Sequence, residues 1–275
     1  MNDYILKNYY SKGKVEINVI LCNYCNLNCS SCMFGTNTKE IPRLVYDLEQ
    51  YKKDIVYLAR FKDIISHFTF LGGEPTILKN LLTYIEITKE AFPKAKLEVI
   101  TNGIKLVKDN ILLKKLSQLN VSLLFSYYTE TASIIKALVQ KCNIFKISYW
   151  FLEGPHTPRI KNVWSAPLTY KKPVRDGDLT DFRFKCKYGC LLIWNGYFQA
   201  CAIQFSIPMR NKLFGTNYKE EKGIPIESIT NKEDLIELQG SKYIPEICKY
   251  CQPGSNEIKF IKHTLNNIRK EDYIL

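Results

Sequence analysis

The 275-residue chain contains no apolar run that approaches the ~20 residues needed to span a bilayer. Its opening stretch, MNDYILKNYYSKGK, has no apolar segment behind a basic start. A signal peptide is therefore not expected, and the cytoplasm is the expected location. Arginine is scarce, 7 of the 39 basic residues. The net charge of +12 thus comes mainly from dispersed lysines without an Arg-rich helix face, which argues against a nucleic-acid partner. No internal repeat or low-complexity tract is visible.

What is present is a globular balance, 46% hydrophobic and 13% aromatic, long enough for one large core and a small appendage. Ten cysteines accompany it. In a reducing compartment clustered cysteines point to metal rather than to a disulfide framework.

Residues 15–151 alternate strand and helix patterns. Strands are expected at 15–22, 67–73, 96–103, 121–128 and 144–151. Helical spacing marks 46–61, 80–92, 110–118 and 131–142, with Leu48, Tyr51, Ile55 and Leu58 on one face of the first. Repeated βα units predict parallel strands, hence an α/β fold forming an open sheet or a partial TIM-like barrel of five or six units. Ligand chemistry in such folds collects at the C-terminal ends of the strands. The unusual residues sit there: Cys22 to Cys32 after the first strand, Gly72-Gly73-Glu74-Pro75 after the second, Thr101-Asn102-Gly103 after the third, and Ser126-Tyr127-Tyr128 after the fourth.

The segment CNYCNLNCSSC packs four cysteines into eleven residues. Thiolates suit zinc or iron–sulfur clusters. The pairs Cys22/Cys25 and Cys29/Cys32 lie too close together for a usual zinc ribbon. Cys25-x3-Cys29-x2-Cys32 instead offers three ligands on a compact loop, with Cys22 left over as a buried thiol. This CxxxCxxC after the first strand, with LGGEPTIL after the second, resembles the radical S-adenosylmethionine (radical SAM) superfamily across residues 15–151. The resemblance implies a 4Fe–4S cluster on Cys25, Cys29 and Cys32, with S-adenosylmethionine on its fourth iron. It implies that Gly72 and Gly73 let the backbone approach the methionine and that Glu74 accepts from its ammonium, with Asn102 and Ser126 as further cofactor contacts. The residue before the third cysteine is often aromatic in the family. Here it is Ser31, so Phe34 is expected to take the adenine contact. An external electron donor such as flavodoxin or ferredoxin is the implied partner.

A second group, Cys186-x9-Gly196-x4-Cys201 and then Cys248-x2-Cys251, resembles the short "twitch" form of the SPASM extension. That implies a second, auxiliary 4Fe–4S cluster on Cys186, Cys201, Cys248 and Cys251. A zinc half-site or a structural staple is the alternative. The expected division is a core at 1–152, a Pro- and charge-rich linker or substrate loop at 153–185, and a twitch-like domain at 186–275. In that last part Asn195-Gly196 is expected to form a hairpin turn, followed by a short helix near 231–239 and a C-terminal helix near 256–269.

Three function classes compete: an enzyme acting on a sugar-like or aminocyclitol-like small molecule, a peptide-modifying maturase, and a non-catalytic metal-binding protein. Only fourteen residues precede the first strand, which disfavours a peptide-recognition domain ahead of it. The loop 159–187 carries eight basic residues against three acidic ones. Together with Tyr128, Glu153, His156 and Arg159 it could receive an anionic substrate. Oxidation of a hydroxyl-bearing carbon is the expected reaction. Epimerisation is the alternative, with the Cys190 thiol as hydrogen donor.

Overall fold

The structure, a computed structural model, describes residues 13–27, 29, 32–36, 42–128, 131–152, 163–165, 168–175, 177, 179, 191–239, 243–252 and 257–259. Four strand–helix units open the chain: β1 (Val15–Cys22), α1 (Leu48–Leu58), β2 (Ile65–Gly72), α2 (Leu81–Ala91), β3 (Lys96–Thr101), α3 (Asn110–Gln118), β4 (Val121–Phe125) and α4 (Ala132–Phe145). β5 (Tyr149–Phe151) follows. These five strands pair in parallel in sequence order. On the far side of β1 the sheet continues with β8 (Leu192–Trp194), again parallel, and then antiparallel β9 (Tyr197–Gln199) and β10 (Ile224–Pro225). The result is the expected α/β class, an open and mostly parallel eight-stranded sheet.

Register sorts the strand side chains onto two faces. Ile17, Phe68 and Leu97 lie side by side, as do Val19, Phe70 and Val99, and all six are buried. They meet Tyr51, Ile55 and Leu58 of α1, Leu81 and Ile85 of α2, and Leu113 and Leu116 of α3 in one core. Each such side chain contributes about 1.5–3 kcal/mol on burial, so this face dominates the stability. The opposite face carries a separate apolar cluster of Ile20, Leu71 and Leu192, covered by Phe34 and Phe205.

Local signals fix the element ends. Asp47 caps α1 by accepting from the Gln50 N–H at 2.8 Å, and Asp109 caps α3 by accepting from Leu112 at 3.0 Å. The hairpin turn forms as expected, with Asn195 and Gly196 at φ 42° and 86° between paired Trp194 and Tyr197. That turn is fastened to α1 through the buried Asp54 carboxylate, which accepts from the Gly196 N–H at 2.8 Å, from Gln50 and from the Tyr46 hydroxyl. The first strand of the expected C-terminal unit is thus built into the core sheet.

Two expectations need correction. The strand anticipated over 144–151 is confined to Tyr149–Phe151, because α4 runs to Phe145 and closes on Lys146 at φ 55°. The helix expected near 256–269 is replaced at 257–259 by β12 (Glu257–Lys259), which pairs antiparallel with β6 (Val163–Ser165). Residues 260–269 lie outside the described residues. A thirteen-residue helix not legible in the sequence, α5 (Ala202–Phe214), contains Pro208, which removes a backbone donor and ordinarily argues against a helix. Tertiary burial overrides that bias: Ile203, Ile207, Met209 and Phe214 are all buried. The short helix near 231–239 is α6 (Lys232–Gln239). No helix among the described residues is long and apolar enough to cross a membrane.

Candidate functional site

The site begins where β1 runs out. Asn23 closes the base of the cysteine loop by accepting from the Leu44 N–H at 2.8 Å and donating to the Pro42 carbonyl at 2.9 Å. Nothing in the sequence pattern singled out Asn23. Cys22 is fully buried, and its thiol donates to the Tyr24 carbonyl at 3.5 Å. Burial pushes that thiol up to about 11, as for a neutral packed cysteine.

The turn after β2 locks onto this loop. The Gly73 N–H donates to the Cys22 carbonyl at 2.8 Å, and the Glu74 N–H to the Tyr24 carbonyl at 3.0 Å. A Cβ on Gly73 would stand 1.8 Å from the Tyr24 oxygen, and one on Gly72, at φ +124°, 2.5 Å from the Cys22 oxygen. Approach to a methionine is the reason anticipated for these glycines. The structure supplies another: the loop backbone itself lies against them. Gly73→Ala is accordingly expected to destabilise the metal-free protein by about 1–3 kcal/mol through overpacking, and to impair metal loading at the loop. Thermal unfolding and iron content would check this. Unchanged values for both would contradict the packing account.

Glu74 is only 2% exposed. Its Oε1 accepts from the Thr76 N–H at 3.1 Å, the Thr76 hydroxyl at 2.6 Å and the Thr101 hydroxyl at 2.8 Å, and Oε2 accepts from the Asn102 N–H at 2.8 Å. Glu74 thus clamps the end of β3 to the turn after β2, a role beyond the expected ammonium contact. Oε2, holding a single donor among the described residues, retains acceptor capacity for such a contact. Burial raises the Glu74 carboxyl above the usual range, while these hydrogen bonds pull it back.

Asn102 extends the clamp to the cysteines. Its amide donates to the Asn26 side-chain oxygen at 2.8 Å and lies 3.6 Å from the Cys25 sulfur, while its own oxygen accepts from the Ile104 N–H. Cys25 Sγ also accepts from the Leu27 N–H at 3.3 Å. Cys29 is buried beside Leu27, with Tyr128 packed against them, and Cys32 Sγ lies 3.5 Å from the Thr36 hydroxyl. Ser126 stands at the neighbouring strand end, its N–H donating to the Thr101 carbonyl at 2.9 Å. Phe34 packs edge-on against Phe205, their rings 6.2 Å apart. The structure therefore gathers Cys25, Cys29, Glu74, Asn102 and Tyr128 at one rim. Ser31, Glu153, His156, Arg159, Cys186 and Cys190 lie outside the described residues.

The donor set suits a metal cluster whose core is positively charged. Burial pushes the Cys25 thiol far up, and Glu74, Cys32 and Cys22 push it in the same direction. Anionic donors crowded in this way favour metal in place of their protons. Among the described residues no three His, Cys, Asp or Glu side chains converge as on a single ion. A cubane does not require that, because each thiolate takes a different iron.

Residues 19–133 match the sequence profile of the Radical SAM superfamily. The chain carries a radical SAM domain. Over 118 residues this domain is 29% identical to a GTP 3′,8-cyclase of Mycolicibacterium smegmatis, covering 42% of this chain and 32% of that protein. Over 124 residues it is 30% identical to the Streptomyces coelicolor GTP 3′,8-cyclase, covering 44% and 36%. The match spans about a third of the length of these relatives. In fold, the chain resembles BtrN in complex with AdoMet and 2-DOIA, at TM-score 0.53 and 17% identity, over 95% of this chain and 98% of that one. It also resembles anSMEcpe with bound AdoMet, at TM-score 0.53 and 15% identity, over 84% and 83%. The Cys25–Cys32 loop, the Gly72–Glu74 turn and Asn102 all lie within the matched residues.

Outside it, Cys201 and Cys251 meet in an apolar cluster with Ile203, Ile207, Tyr218 and Ile247. Cys248 is buried, and both Cys201 and Cys248 act electrostatically on Tyr243, whose hydroxyl burial first of all pushes up to about 12. Cys201 and Cys251, two of the four cysteines expected at a second metal centre, therefore share one cluster. Arg175, expected in a substrate-receiving loop, donates to the Cys251 carbonyl.

Proposed function

We propose that this chain is a radical SAM enzyme that abstracts a hydrogen atom from a small polar substrate, sugar-like or aminocyclitol-like and including anionic members of that class, and oxidises a hydroxyl-bearing carbon. The observation that carries the reading is the clamp in which Glu74 and Asn102 tie the ends of β2 and β3 to the cysteine loop. It makes one rigid rim of three separate strand ends, as a precisely oriented cofactor requires. When bound, the cluster and S-adenosylmethionine supply one-electron cleavage of the sulfonium and a 5′-deoxyadenosyl radical. Cys25, Cys29 and Cys32 would hold the cluster, Glu74 Oε2 would accept from the methionine ammonium, and Asn102, Ser126 and Phe34 would line the remainder. A flavodoxin or ferredoxin would deliver the electron.

Oxidation requires an acceptor for the second electron. Cys201, Cys248 and Cys251, with Cys186, offer an auxiliary 4Fe–4S cluster for that role. The curated relatives act on GTP by name, but they share with this chain only the segment that would bind the cofactor.

The test is product analysis in deuterated water, after deuterium transfer into 5′-deoxyadenosine has identified the substrate among small polar metabolites, with GTP and 2-DOIA included as probes. An oxidised product without carbon-bound solvent deuterium is expected. Solvent deuterium at an inverted carbon, lost in Cys190→Ala, would establish an epimerase instead. Cyclised GTP would overturn the substrate class.

A further inference from the structure

Arg210 heads the large, fully buried side chains among the described residues, with 1% of its surface exposed. Its Nε donates to the Ser206 hydroxyl at 3.2 Å, one turn back on α5, and its Nη1 donates to the Thr169 hydroxyl at 3.2 Å. The Tyr218 hydroxyl holds Thr169 from another side, at 3.0 Å. Thr169 belongs to β7 (Leu168–Thr169), which pairs antiparallel with β11 (Cys251–Gln252), and it stands directly opposite Cys251. Residues opposed in an antiparallel ladder project to the same face with Cβ atoms about 5 Å apart. The guanidinium thus lies one hydrogen bond beyond the residue that pairs with Cys251. On its other side Tyr218 packs with Ile207 and Cys251 in one apolar cluster.

Burying a guanidinium is costly, and a cation in such surroundings acts strongly on any neighbouring charge. A cubane on four thiolates is anionic and becomes more so when it takes up an electron. The geometry points to Arg210 as a positioning and tuning residue that raises the reduction potential of a cluster held by Cys201, Cys248 and Cys251. This inference rests on the auxiliary cluster proposed above and deepens it. The fixed positive charge stabilises the reduced cluster relative to the oxidised one, which suits a centre whose task is to accept the electron a substrate radical gives up. Whatever else Arg210 contacts, removing its charge makes the environment of Cys251 more negative by one unit, so the direction of the effect is set.

The experiment is a redox titration followed by electron paramagnetic resonance, on full-length protein carrying alanine at Cys25, Cys29 and Cys32, so that only the second cluster reports. Arg210→Gln is expected to lower the ratio of reduced to oxidised cluster at least about tenfold at fixed ambient potential, which is about 59 mV for one electron. Arg210→Lys, which keeps the charge, should remain near the parent. A midpoint unchanged in an Arg210→Gln protein that retains its iron would overturn the inference. Should that variant lose its cluster, Thr169→Val decides: it removes the hydroxyl that ties Nη1 to the strand paired with Cys251, and a downward shift supports the inference while an unchanged midpoint refutes it. A parent protein without any second cluster would refute the cluster reading itself, a result distinguishable by its iron content.

Discussion

Protein in which Cys25, Cys29 and Cys32 are all alanine should retain about half of the iron and sulfide of the parent, and it should form no 5′-deoxyadenosine from S-adenosylmethionine under reducing conditions. The expected parent content is about eight iron and eight sulfide per chain, four for each cubane. The loss should be complete because these three thiolates would hold the cluster on which S-adenosylmethionine cleavage would depend. The Glu74 clamp and the core beneath it do not pass through the three sulfurs, apart from the weak Asn102–Cys25 contact, so the fold should survive. Cys142→Ala is the matched control. Cys142 is buried in the core on the helix side of the sheet, and burial pushes its thiol up to about 12, so it should change neither iron nor cleavage. Zinc in place of iron in the parent would contradict the assignment at once.

Alanine at Cys186, Cys201, Cys248 and Cys251 should do the converse. About half the iron is expected to vanish, while uncoupled cleavage of S-adenosylmethionine without substrate persists, since it draws only on the first cluster. Substrate turnover should fall to background, because the second electron then has no acceptor. Iron content and 5′-deoxyadenosine, measured on the same sample, separate these outcomes. If the iron is unchanged, the second cysteine group does not hold a cluster. If substrate turnover survives while the iron halves, the auxiliary centre is a staple and not an electron acceptor.

The parallel core was legible because its signals are local and repeated. Buried strands with apolar runs alternate with helices of regular apolar spacing, and Asn195-Gly196 specifies its own turn. The rim was legible at Cys25, Cys29, Gly73, Glu74 and Asn102, because their residue types are unusual at strand ends. Other parts were not. Asn23 acts through hydrogen bonds to backbone brought back by a loop of about twenty residues, which no local pattern encodes. Helix α5 was hidden by Pro208, and its place over the second sheet face depends on contacts such as Phe205 with Phe34. The same long-range packing hid Arg210, whose burial and contact with Thr169 join segments about forty residues apart. Gly73 stands out in the sequence as a glycine at a strand end, and the backbone that approaches it in the structure belongs to Tyr24.

The central claim, that the Cys25–Cys32 loop and the Gly72–Asn102 rim together form a working S-adenosylmethionine site, is tested most directly by one assay. Anaerobically reconstituted parent protein is reduced with dithionite in the presence of S-adenosylmethionine, and methionine and 5′-deoxyadenosine are quantified. The account predicts both products in equal amounts, accumulating slowly without substrate. Intact S-adenosylmethionine in a sample that holds its full iron and sulfide would contradict it.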